Sequence, residues 1–77
     1  MTTSRYFGKA QFIDDLSRNS PPEQANAMVR YMEESKTTRE VSVLGGSLSA
    51  TVGTDGTILE GRIGGAEYRW KVKKAGE

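Results

Sequence analysis

Between Arg39 and Lys74 apolar and polar residues alternate with a period of two. The alternation breaks at Gly45-Gly46, Asp55-Gly56 and Gly64-Gly65, pairs that tolerate the positive φ of tight hairpin turns. Four short strands are predicted, at about 39–44, 47–53, 57–63 and 66–73. Taking each pair as a two-residue turn fixes a register. Val43 then faces Leu48, and Val41 faces Ala50. In the second hairpin Val52 faces Leu59, Ala50 faces Gly61 and Leu48 faces Ile63. In the third, Ile63 faces Ala66, Gly61 faces Tyr68 and Leu59 faces Trp70. Apart from Leu44 and Ile58, which fall among the outer charges, the apolar residues land on one face, and a slip of one residue in any hairpin would turn a strand over. On the opposite face Arg62 lies across from Glu67, and Glu60 across from Arg69, pairings worth ~0.2–1 kcal/mol each. Ala50 and Gly61 make a dip in the apolar face, which a helix fills or a small pocket occupies.

Upstream the period changes to that of a helix. Tyr6 and Phe7 are ambiguous, since they could extend a strand but Gly8 interrupts. From Lys9 to Arg18, Phe12, Ile13 and Leu16 form one apolar side, while Asp14, Asp15 and Arg18 take the other. Asn19 and Pro21 stop this helix. Ser20-Pro21-Pro22-Glu23 reads as a capping box, with Ser20 as the cap of a second helix over about 21–35. In that helix Ala25, Met28, Val29 and Met32 recur at helical spacing, with Gln24, Arg30, Glu33 and Glu34 outward. The expected fold is α+β: two N-terminal helices packed on one face of a four-stranded antiparallel meander sheet, in a single domain spanning 1–77. Lys71, Lys73 and Lys74 guard the last strand as an edge, and strand 39–44 is the other, less guarded edge.

Composition narrows the chemistry. The 77 residues contain no Cys and no His, and the formal net charge is +1. Disulfides, thiolate metal sites, imidazole ligands and a His general base are therefore absent. No strong global field points to nucleic acid or membrane. Met1-Thr2-Thr3-Ser4-Arg5 leads into no signal-peptide core, so a cytoplasmic protein is expected. Val43 to Ser47 lacks the spacing and lysine of a phosphate loop, and Thr54 to Thr57 lacks the ligands of a calcium loop. Asp14-Asp15 and Glu33-Glu34 read as solvated helix faces. No activated nucleophile or perturbed acid stands out, so no enzyme, metal or cofactor is expected.

Two binding readings remain. Arg62, Arg69, Lys71 and Lys73 share the outer sheet face, a patch that could track phosphates. Glu60 and Glu67 interleave with them, however, and Tyr68 and Trp70 point to the core side, leaving no stacking platform. The alternative is protein binding, through those four cations together with Tyr31, Glu33 and Glu34. Tyr6, Phe7 and Tyr31 either cap the core or anchor an interface. The edge at 39–44 could also join a second copy in a homodimer. Small α+β domains without His or Cys are a common format for phage- and mobile-element-encoded inhibitors that occupy a host protein's surface. The expected function is a non-enzymatic protein-binding module, an inhibitor or regulator of that kind.

Overall fold

In a computed structural model, described for residues 6–73, the elements run β1 (Tyr6–Phe7), α1 (Lys9–Ser17), α2 (Pro22–Glu33), β2 (Arg39–Val43), β3 (Gly46–Gly53), β4 (Gly56–Ile63) and β5 (Ala66–Lys73). The sheet has five strands in the order β1-β5-β4-β3-β2. Strands β2 to β5 form the antiparallel meander, and β1 adds a fifth strand parallel to β5, with Tyr6 beside Glu67 and Phe7 beside Tyr68. The expected four-stranded antiparallel sheet is thus corrected to a mixed sheet. The start of β5 is covered rather than open. Lys74 lies outside the described residues.

The third hairpin has the register read from the sequence, with Ile63 opposite Ala66 and Leu59 opposite Trp70. The first two are shifted by two residues. Val41 pairs with Leu48 and Val43 with Gly46, while Leu48 pairs with Gly61 and Ala50 with Leu59. The turns are Leu44-Gly45 and Thr54-Asp55, so Gly46 and Gly56 belong to strands. The physical reason is close backbone approach. A Cβ on Gly46 would lie 1.6 Å from the Arg62 carbonyl oxygen, and one on Gly56, whose φ is +148°, 2.4 Å from that of Val72. Glycine is used there inside the ladder rather than at its bend. A two-residue shift keeps every side chain on its face, so the apolar surface survives the correction.

Both helices cover that surface. Phe12 and Leu16 of α1, with Ala25, Val29 and Met32 of α2, are buried against Val43, Leu48, Ala50, Leu59 and Tyr68. The dip at Gly61 holds the Phe12 ring: a Cβ on Gly61 would stand 2.8 Å from Phe12 Cε1. Phe12 packs edge-on against Tyr68, with centroids 5.1 Å apart at 76°, a favoured aromatic geometry.

The second helix starts without the expected capping box. Its N-cap is Pro21, at φ −57° and ψ 139°, and no side chain caps it. Because Pro22 follows, Pro21 is held out of helical geometry and becomes the boundary. Ser20 is displaced one position too far out to serve, and the Pro21 carbonyl accepts from the Gln24 and Ala25 N–H groups.

Candidate functional site

The strand alternation that points apolar residues at the helices points the other set at solvent. The outer face carries Ser42 from β2, Ser47, Ser49 and Thr51 from β3, Ile58, Glu60 and Arg62 from β4, and Glu67, Arg69, Lys71 and Lys73 from β5. No helix covers it among the described residues. Tyr6, half-exposed, joins this face beside Glu67, with the Arg69 guanidinium 5.8 Å from its ring centroid.

The four predicted cations Arg62, Arg69, Lys71 and Lys73 therefore share one surface. Three of them have acidic partners: Arg62 with Glu67 at 3.3 Å, Arg69 with Glu60 at 3.6 Å, and Lys71 with Asp55 at 2.9 Å. The hydrogen bond from Lys71 holds the Asp55 carboxyl below its ordinary pKa. Tyr6, Ser47, Glu60, Gly61, Arg62, Glu67 and Tyr68 line a shallow open depression on the sheet. The surface alternates in charge sign and is flanked by a flat strip of short hydroxyl side chains.

The other predicted residues lie across the sheet, on the helix layer. Tyr31 is half-exposed on α2. Its hydroxyl accepts from Arg39 Nη1, the Arg39 guanidinium sits 5.0 Å over its ring, and Arg39 Nε donates to Ser35 Oγ at 2.8 Å. Glu34 is exposed at the end of α2. Glu33, expected to point outward, instead turns inward. It accepts from Trp70 Nε1 at 3.0 Å and pairs with Lys9 at 3.0 Å, with its side chain 15% exposed. The structure thus brings the four cations together and sets Tyr31, Glu33 and Glu34 apart from them.

Asp15 has a matching arrangement that sequence reasoning missed. The Tyr68 hydroxyl donates to its carboxylate, and Arg18 lies 3.5 Å from it. Burial first, and then the Asp15 carboxylate, favour the protonated phenol and push the Tyr68 pKa up to about 12. Each helix therefore gives one carboxylate to the polar tip of a β5 aromatic. A signal was present. Asp15 directly follows Asp14 but also lies three residues after Phe12, and Glu33 four after Val29, so both border the apolar stripes. Buried Tyr and Trp take hydrogen-bond partners from such borders.

Among the described residues no group of acidic side chains is arranged to hold a metal ion, and no helix is long and apolar enough to cross a membrane. The chain matches no protein-family model, no curated protein and no solved structure.

Proposed function

We propose that this domain is a non-enzymatic protein-binding module that works by occupying a partner's surface with the open face of its sheet, as an inhibitor or small regulator does. The observation that carries the reading is the mixed charge of that face. Arg62, Arg69 and Lys71 are each interleaved with a carboxylate. A phosphate-tracking surface works by unopposed cations that release counterions, and here acidic groups would sit against the same phosphates. Alternating charges beside short Ser and Thr side chains suit a protein surface of complementary pattern, where such groups set specificity and approach. Ile58 and Tyr6 supply apolar contact within it.

The test is capture from a cell extract by the tagged domain, with and without nuclease, alongside an Arg69→Glu/Lys71→Glu double variant. A stoichiometric protein that survives nuclease, and is lost with the double variant while the melting temperature holds, is the expected result. Capture that vanishes with nuclease would instead assign the face to nucleic acid. Binding that ignores the double variant would remove this face from the function.

A further inference from the structure

The two edges of the sheet are unequal. Alternation through the antiparallel ladder aims the main-chain groups of Arg39, Val41 and Val43 at β3, and those of Glu40 and Ser42 away from the sheet. On the far side the same alternation leaves the groups of Arg69, Lys71 and Lys73 open beyond the two residues of β1. That edge is blunted by its own cations and by a short cover strand, both recognised devices against further pairing. Among the described residues the β2 edge has no such cover, and no cation turned outward along it. It runs five residues in unbroken register, and its only cation, Arg39, is drawn back over Tyr31 and bonded to Ser35. The guard that the sequence places on this strand is tied to its own helix.

We infer that β2 pairs with β2 of a second copy, antiparallel about a two-fold axis through Val41, to make one continuous ten-stranded sheet. The strand's own sequence argues for a copy of itself as the occupant. In this register Glu40 meets Ser42, Arg39 meets Val43 and Val41 meets Val41, so no like charges stand directly opposite. The outward N–H and C=O groups of Glu40 and Ser42 all find partners, two residues to two. The neighbouring registers are poorer. One sets Glu40 against Glu40, and the other runs Glu40 into Leu44, a turn residue outside the strand. Among the described residues the outer face at this edge carries the short Ser42, Ser47 and Ser49 beside exposed Glu40, and inside α2 lies over β3 and β4, leaving Val41 half-buried. A two-fold pairing closes on itself, so the assembly stops at two chains.

The dimer sets two copies of the outer face side by side on one sheet, so a partner with two matching surfaces would be held at raised effective concentration. The inference stands apart from the proposed function, because it is read on the purified chain with no partner present. Sedimentation over rising protein concentration is expected to show conversion from one chain to two, and Ser42→Pro, which removes an outward-facing N–H from an edge strand, is expected to stay a single chain with its fold intact by circular dichroism. The absence of native cysteine allows a second readout of the register. Val41→Cys should form a disulfide-linked dimer ~10-fold or more faster than Glu40→Cys or Ser42→Cys in a glutathione buffer, since only position 41 faces itself across the axis. A chain that stays single at the highest concentration would overturn the inference. Fastest linking through Cys at 40 or 42 would overturn the register, and growth beyond two chains would overturn the two-fold closure.

Discussion

The two faces of the sheet use the same kinds of polar group to opposite ends. On the covered face Tyr68 and Trp70 donate to Asp15 and Glu33, whose side chains are 17% and 15% exposed. On the open face Arg62, Arg69 and Lys71 meet carboxylates with about half or more of each cation in water. Partly buried donors lose their water on folding, so an absent partner leaves an unmet desolvation cost. Exposed ion pairs exchange protein for solvent at little net gain. One face therefore holds the fold together, and the other can be rewritten for a partner without endangering it.

Substitutions on each face should break or sharpen this contrast. The largest expected effect is at Gly61. Valine there would drive a branched side chain into the Phe12 ring, which is fully buried and 2.8 Å from the new Cβ. A loss of ~3 kcal/mol is expected, a large share of the stability available to a domain of this size. Urea titration followed by circular dichroism reads it directly.

Removing Asp15 by alanine should cost ~1–2 kcal/mol by stranding the Tyr68 hydroxyl. The same contact gives an alkaline signature. The folded-state pKa of Tyr68 lies above the unfolded value, so its contribution is complete below about pH 10 and is lost as pH rises through about 12. Melting temperature is expected to fall across that window, and the fall should shrink in Asp15→Ala. Equal slopes in both proteins would sink the assignment.

The smallest effects belong to the open face and the helix start. Glu60→Ala, which removes the exposed partner of Arg69, should change stability by less than ~1 kcal/mol. Ser20→Ala should stay within ~0.5 kcal/mol, because no side-chain cap bond forms there. A loss at Ser20 as large as that at Asp15 would restore the capping box.

The four strands of the meander, and the face each of their side chains takes, were legible in the alternation alone, whereas β1 was not, because two residues are too few to show a period. Hairpin register was legible only where both glycines of a pair lie in the bend, as Gly64 and Gly65 do. Gly46 and Gly56 look the same in sequence, but they are demanded by the backbone of a neighbouring strand. The helix start misled for a related reason: the serine hydroxyl was visible, whereas the constraint of Pro22 on Pro21 decided the boundary. The outer cations were legible by counting residues along β4 and β5. For Glu33 only its place on the border of the apolar stripe was legible, and not the inward turn, because its partner Trp70 lies 37 residues away.

The pairing of Tyr6–Phe7 with Glu67–Tyr68 joins the earliest described strand to the latest. A ribosome releases residues in order, so β1 must wait with its main chain unpaired until the whole meander has emerged. Closing so long a loop for two residues of ladder is entropically poor. Contacts of such high sequence separation tend to form late. The meander and its helices are expected to assemble first, with β1 docking last as a clasp on a finished sheet. Its release would bare the start of β5 while leaving the Gly61–Phe12 lock closed.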